Sequence, residues 1–331
     1  MREIRKLQET AGGTYILTIP KEWAEAMQIS KGSMVNMDID NGSIIITNSE
    51  LKRETEAHSI DISQVKDKKA LELSIISSYI LGHDITELYS SESKSNEWKD
   101  WVKEALKGLI GIEISEEYAD RILLQNLIDP YKFNFLNSME KFLRNSMAVL
   151  SDSIISLQKT GSFLSNDAYN RGKELIRTYR LLFRLIILAG KDKSLCTNFG
   201  LQNLTDTTLY TVAIREMGRI SYYAMRTAQH SSEFQNELSP DIVSDLLQME
   251  ELTSSMVLNA FNSLITKDIS KTSWVMDSMI HIRQMYEKIM ESKSLLNMEG
   301  RLTISLIVRD LRAIAGYAVA LADDSILGSY V

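Results

Sequence analysis

The spacing of apolar residues changes along the chain, from strand-like alternation near the N-terminus to helical periodicity farther on. Residues 15–19 alternate and are rich in β-branched side chains, which predicts a strand. Two apolar runs, 34–39 and 43–47, flank Asp40-Asn41-Gly42, a sequence typical of a hairpin turn. With a further strand at 4–8 and a short helix after Pro20, residues 1–50 are predicted to form a small β-rich domain.

Residues 51–129 mix the two periodicities. Helical spacing over 67–81 and 96–109 predicts two helices, and short apolar runs at 85–89 and 110–114 predict two strands. We therefore expect a small α/β connecting domain between the N-terminal domain and the rest of the chain.

From residue 131 onward, apolar residues recur at spacings of three and four, which is typical of bundle helices. Asp129-Pro130 and Ser239-Pro240 each predict a helix start, with an N-cap residue followed by proline in the first turn. Segment 214–228 is similar to segment 308–322, which lies 94 positions farther on. The sequence thus predicts an α+β protein that ends in two similar three-helix bundles, 130–238 and 239–331.

Composition narrows the class of protein. The net charge of −7 excludes a basic surface over the whole chain, although residues 1–21 carry a local surplus of positive charge. The one cysteine, Cys196, cannot form an internal disulfide or a cysteine-rich zinc site, which favours a reducing compartment. We found no signal-peptide pattern and no apolar run of membrane-spanning length, so we expect a cytoplasmic protein without membrane insertion.

Residues 13–23, 29–32 and 40–46 give a strand, an Ile-Pro step, a short helix, a Lys-Gly turn and a hairpin, in that order. This order resembles the AbrB/MazE-like (SpoVT-AbrB) family over 2–47, except that Ser33 stands where the family usually has an acid. The resemblance implies a homodimer in which two chains interleave into one swapped-hairpin β-barrel. Such sharing makes physical sense, because about 45 residues cannot bury a sufficient core alone. The expected shared core is Ile4, Leu7, Ile16, Ile19, Trp23, Val35, Ile39, Ile44 and Ile46.

The same resemblance implies that the N-terminal strand and its loop contact DNA. Arg5 and Lys6 stand where the family carries its basic pair, and Lys21 opposes the dipole of the short helix, so it is not placed there for stability. The alternative is that these are ordinary solvated charges on a module that only dimerises. The candidate DNA-binding residues are Arg2, Arg5, Lys6, Thr14, Tyr15 and Lys21.

Segments 81–85, 109–114 and 177–184, with the helices that end at 219–224 and 313–318, resemble the PhoU family of phosphate uptake regulators. The resemblance covers most of 67–327, and the whole arrangement resembles archaeal-type proteins that join an AbrB-like domain to PhoU repeats. It implies a role in phosphate homeostasis, with a phosphate transporter ATPase or a sensor kinase as partner.

The PhoU family usually carries acid pairs that bind metal through carboxylate oxygens. Here the corresponding positions hold Gly218, Tyr222, Arg312 and Gly316, with Lys173 and Arg177 on the preceding helix. Asp277 and His281 are the weak metal candidates that remain, and Arg312 is expected to pair with Asp277. We expect no metal or other cofactor.

Three hypotheses follow. The first is a cytoplasmic DNA-binding transcriptional regulator of phosphate uptake. The second is a regulator that binds a transporter or kinase without binding DNA, and the third is a metal-dependent enzyme or sensor. The sequence contains no phosphate-binding glycine-rich loop and no nucleophile–base arrangement, so we expect no enzymatic activity.

Overall fold

The computed structural model describes residues 3–40, 42–48, 56–90, 97–158 and 163–329. The chain divides into two compact units, Met1–Thr55 and Glu56–Val331. None of the helices in these ranges combines the length and apolarity that crossing a membrane requires. The α+β class is confirmed, and the finer division into four domains stays a prediction.

The first unit consists of two small antiparallel pairs and one helix. Strand β1 (Gln8–Glu9) pairs with β2 (Tyr15–Ile16), and helix α1 (Lys21–Ala26) follows. Strands β3 (Val35–Asp40) and β4 (Ser43–Asn48) form the predicted hairpin, with Val35 opposite Asn48 and Asp40 opposite Ser43. Gly42 has a φ of +77°, a conformation that glycine adopts without strain.

The first two strands are shorter than the sequence predicted. The strand expected at 4–8 is reduced to β1, and the one expected at 15–19 is reduced to β2. Within the described residues of the single chain, β1–β2 and β3–β4 are separate two-stranded sheets, not the closed barrel that was expected. A swapped barrel of the kind that the resemblance implies would need strands from a second chain to close.

The second unit begins with a four-stranded sheet. Its elements are β5 (Ala57–Asp61), α2 (Lys68–Ile80), β6 (Ile85–Tyr89), α3 (Glu97–Leu106), β7 (Ile112–Glu117) and β8 (Arg121–Asn126). The strand order is β5-β6-β8-β7, in which β5 and β6 are parallel and the other pairs are antiparallel. A core formed by α2, α3 and the sheet includes Leu71, Ile75, Leu88, Val102 and Ile122.

This sheet contains two strands that the sequence did not reveal, β5 and β8. The predicted strand at 85–89 is confirmed, and the predicted helix at 67–81 is α2, whose first turn is capped by the Asp67 carboxylate accepting from the Ala70 amide over 2.8 Å. The strand predicted at 110–114 begins two residues later, at Ile112.

Two sets of helices complete the chain. The first is α4 (Phe135–Ser156), α5 (Phe163–Lys191), the short α6 (Lys193–Asn198) and α7 (Leu204–Glu233). The second is α8 (Pro240–Thr266), α9 (Ile269–Glu291), the short α10 (Lys293–Leu296) and α11 (Arg301–Ser329). Both sets share one apolar core.

Each of the two predicted proline helix starts is correct in part, and Asp129 does cap the short turn that follows it. Pro240 is the first residue of α8, although its N-cap residue Ser239 makes no side-chain capping bond. Pro130 instead opens a single 3₁₀ turn, Pro130–Lys132, and α4 begins after a separate cap at Asn134. The Asn134 side chain accepts from the Asn137 amide and so satisfies one of the free donors of the first turn.

The predicted repeat appears as the packing of α7 against α11. Tyr223 and Tyr317, which are equivalent in the repeat, stack with ring centroids 5.8 Å apart. His230, which follows Tyr223, contacts Asp310, which precedes Tyr317, so the two helices run antiparallel.

Candidate nucleic-acid interface

A tight turn joins β1 to β2 and carries two of the predicted DNA-binding residues. The Thr10 amide and hydroxyl both donate to the Thr14 carbonyl oxygen, over 2.9 and 3.1 Å. Gly13 supports the turn with a φ of +77°. Thr14 and Tyr15 are both exposed on this turn, so its own hydrogen bonds present them to solvent.

The two cations of the predicted basic pair have different surroundings. Arg5 Nε and Nη2 lie 2.9 and 2.5 Å from Glu3 Oε2, so the Glu3 carboxylate balances much of the Arg5 charge. Lys6 is exposed and has no ion-pair partner within the described part of the chain. Sequence reasoning counted Glu3 in the local charge but missed this pairing, which the spacing of two residues in an extended segment allows.

The remaining two cations among the predicted DNA-binding residues are Lys21 and Arg2. Lys21 Nζ lies 3.6 Å from Glu25 Oε1, and both side chains are largely exposed. An exposed pair at this spacing contributes only a few tenths of a kcal/mol, so the prediction that Lys21 is not placed there for stability stays a prediction. Arg2 lies outside the described residues.

The apolar side chains of this unit are poorly covered. Within residues 3–40 and 42–48, every side chain whose exposure the structure describes is exposed or half-buried. Of the expected core, Ile19, Trp23 and Ile46 are half-buried, while Ile4 is 96% exposed and Ile39 is 85% exposed. Leaving this much apolar surface in water is unfavourable, since burial stabilises by about 25 cal/mol per Å².

The weak metal candidates on α9 do not form a site. Asp277 is exposed and accepts from Ser273 Oγ over 3.4 Å, and His281 is also exposed. The guanidinium of Arg312 lies 4.7 Å from the ring centre of Tyr286, and the described residues show no ion pair between Arg312 and Asp277. Nor do they hold any group of three or more His, Cys, Asp or Glu placed to bind an ion.

A buried charged position between α7 and α11 was not anticipated from the sequence. Asp310 is fully buried, with Arg226 Nε at 3.5 Å, Arg309 Nη2 at 3.6 Å and His230 Nε2 at 3.7 Å. Neither carboxylate oxygen has a hydrogen-bond donor among the described residues. Burial raises the pKa of Asp310, and the nearby cations, Arg226 first, act against that rise.

The repeat generates an equivalent position at the other end of the two helices. Because Tyr223 meets Tyr317 and His230 meets Asp310, the antiparallel register brings Glu216 opposite Asp324. Glu216 and Asp324 each have a buried oxygen with no hydrogen-bond partner in the described residues. Burial, then the charge of Glu216, raises the pKa of Asp324 to about 6. The signal in the sequence was the equivalence of Glu216 with Asp310.

Comparison with known proteins adds to this picture. Residues 8–54 match a family model. That model is described as antidote-toxin recognition MazE, bacterial antitoxin. The match confirms the resemblance of the N-terminal domain to the AbrB/MazE-like family.

One solved structure similar to this chain is the crystal structure of PhoU from Pseudomonas aeruginosa. It is 14% identical in sequence, with a TM-score of 0.44, and the similarity covers 58% of this chain and 90% of that one. No curated protein matches this chain.

Proposed function

We propose that this protein is a cytoplasmic, homodimeric, DNA-binding transcriptional regulator. The observation that supports this most is the uncovered apolar surface of the N-terminal unit, in a segment that matches the MazE family model. A second copy supplies the missing cover, because a two-fold interface places the same apolar patch on both chains.

DNA contact follows from the same symmetry. A dimer presents two copies of the β1–β2 turn and two copies of Lys6, in the manner of proteins that read DNA with strands. Because each copy offers few unpaired cations, most of the affinity comes from a small number of phosphate contacts, and binding weakens steeply with salt.

The DNA-binding surface can be tested by removing its basic pair. In a gel-shift assay on the DNA upstream of its own gene, Arg5→Ala/Lys6→Ala is expected to abolish the shift that the parent protein gives at low salt. Lys141→Ala/Arg144→Ala removes two exposed cations from α4 and serves as the matched control, which should bind like the parent. Equal binding by the first variant and the parent would show that the surface is wrongly assigned.

In this proposal the helical region senses a signal or docks a partner in phosphate homeostasis, without catalysis and without a resident metal. The support is the sequence resemblance to the PhoU family, combined with Gly218, Tyr222, Arg312 and Gly316 at the positions of its acid pairs. Elemental analysis of the folded protein tests the metal-free state, and stoichiometric metal would contradict it.

A second candidate function is a regulator that binds a phosphate transporter ATPase or a sensor kinase without binding DNA. The Arg5–Glu3 pair favours it, because that pairing removes one of the few cations available for phosphate contacts. Co-purification with transporter or kinase subunits, together with no DNA binding at low salt, would decide for this candidate.

A further inference from the structure

The exposed face of α7 carries a row of arginines. Arg215, Arg219, Tyr222 and Arg226 follow one another at spacings of four, three and four, so they lie on one stripe of the helix. The side chain of Arg226 is 24% exposed, and Arg215, Arg219 and Tyr222 are exposed. This stripe extends along α7 for about 16 Å, at 1.5 Å per residue.

Helix α11 continues this face with a different composition. Arg226 and Arg309 approach the same carboxylate, Asp310, so their two helices present these side chains on the same side. Arg312 is exposed nearby on α11. Farther along α11 the face is lined by small residues at helical spacing, and a Cβ added to Gly316 would meet no heavy atom within 4 Å. These small residues are Ala313, Gly316 and Ala320.

Internal ion pairs decide which arginines are available to a partner. Asp310 engages Arg226 and Arg309. Arg215, Arg219 and Arg312 have no acidic partner within 4 Å in the part of the chain that the structure describes. Two of them lie over aromatic rings, Arg215 at 5.9 Å from the ring centre of Phe183 and Arg312 at 4.7 Å from that of Tyr286. A ring face supports the guanidinium but leaves the N–H groups at its edge free to donate.

We propose that this face, made of Arg215, Arg219, Arg312 and the small residues of α11, binds an acidic α-helix of a partner protein. Guanidinium groups pair with carboxylates through two parallel hydrogen bonds, which favours arginine over lysine for this purpose. The step from Arg215 to Arg219 is about 6 Å along the helix, the same as the step between carboxylates four residues apart on a partner helix. The small residues at Ala313, Gly316 and Ala320 permit a helix backbone to approach closely.

Charge complementarity favours a peptide over a duplex. The chain carries a net charge of −7, which opposes an extended polyanion. The proposal does not depend on DNA binding by the N-terminal domain, since the two surfaces share no residue.

The test uses the full-length chain and two synthetic helical peptides of about 20 residues, a length at which an alanine-based helix is stable. One peptide carries glutamates every four residues, and the other carries glutamines at the same positions. By fluorescence anisotropy, the parent protein is expected to bind the glutamate peptide at least about tenfold more tightly than the glutamine peptide. Equal affinity for the two peptides would overturn the proposal.

Variants then locate the surface. Arg215→Ala/Arg219→Ala/Arg312→Ala is expected to lose at least about tenfold in affinity for the glutamate peptide, since three charge-assisted contacts disappear. Lys132→Ala/Lys141→Ala/Arg144→Ala removes three cations from another face and should bind like the parent. Circular dichroism checks that the triple variant is folded. If the folded variant binds the glutamate peptide like the parent, the proposal is wrong.

Two further measurements separate this proposal from the assignment of the N-terminal domain. Arg5→Ala/Lys6→Ala should bind the glutamate peptide like the parent even if it no longer binds DNA. If the triple arginine variant loses affinity for duplex DNA and keeps its affinity for the peptide, the face binds nucleic acid and the proposal is wrong.

Discussion

Arg184 is the largest fully buried side chain among the residues that the structure describes, and it connects α5 to the α/β part of the same unit. Its Nη1 donates to the carbonyl oxygens of Tyr79 and His83 over 2.7 and 2.9 Å, and Nη2 lies 3.1 Å from Asp84 Oδ1. The carbonyl of Tyr79 belongs to the last turn of α2, where a cation also interacts favourably with the helix dipole. A buried cation of this kind is stable only because its partners are complete.

Replacing Arg184 with leucine should therefore destabilise the protein by about 3 kcal/mol, because it removes the guanidinium that donates to two carbonyl oxygens and pairs with the Asp84 carboxylate. Urea unfolding followed by circular dichroism measures this change in the free energy of unfolding. Arg144→Leu is the control, since Arg144 is exposed and pairs with Glu140 on one helix, and its loss should cost less than about 1 kcal/mol. Similar losses for the two variants would disprove the structural role of Arg184.

Asp324 gives the stability of the protein a specific pH dependence. Its pKa of about 6 in the folded chain exceeds the ordinary value of 3.8, so between these values the folded state holds a proton that the unfolded state lacks. The contribution of Asp324 to the free energy of unfolding therefore increases as pH falls from about 7 toward 4.

The variant Asp324→Asn should be more stable than the parent at pH 7 and should lose this part of the pH dependence, since the amide carries no charge to bury. Thermal melting of both proteins across this pH range measures the difference. An identical pH profile for parent and variant would show that Asp324 does not titrate in this window.

At the scale of elements, two glycines differ in whether their positions can accept a side chain. Gly111, between α3 and β7, has a φ of +69°, and an added Cβ would collide with the Ile128 side chain. Gly316 lies inside α11, where the space around an added Cβ is open.

Gly111→Ala should destabilise the protein by about 1–3 kcal/mol, because alanine meets both backbone strain and a clash there. Gly316→Ala should stabilise it by about 0.5–1 kcal/mol through helix propensity. Melting temperatures compare the two variants directly, and a change of the same sign in both would contradict the backbone conformations described.

The sequence predicted elements well where the local pattern was strong. The β3–β4 hairpin has a turn sequence that few other structures accept, and the long helices have sustained periodicity. Strand β5, with sequence AHSID, has only one buried residue, Ile60, and carries no recognisable alternation. Strand β8 was missed because it has only two buried residues, Ile122 and Leu124, in a run of six, too few for a clear alternation. Such strands are specified by the sheet more than by their own residues.

The candidate site, too, could be predicted from the sequence only in part. The basic positions Arg5 and Lys6 could be found from the family pattern, but the Arg5–Glu3 pair required coordinates. The position at Asp310 depends on three side chains from two helices, a combination that no local pattern reveals.

At the scale of the whole molecule, the proposal requires two chains. Ile39 and Ile44, partners across the β3–β4 hairpin, are 85% and 59% exposed in one chain. In a swapped dimer these side chains become core, so Ile39→Glu/Ile44→Glu should convert the dimer to a monomer by burying charge at the interface.

Sedimentation velocity measures this change. Leu302→Glu, at an apolar position of α11 that is 74% exposed, is the control and should leave the dimer intact. A parent protein that sediments as a monomer would contradict the assembly outright.

The most direct test of the account is the salt dependence of DNA binding. Fluorescence anisotropy of the full-length chain with its upstream DNA, between about 50 and 200 mM salt, gives the slope of the logarithm of affinity against the logarithm of salt concentration. If Lys6 contacts a phosphate in each of two chains, Lys6→Ala should make this slope less steep by about 2. A slope that is the same for Lys6→Ala and the parent would contradict DNA contact by this surface.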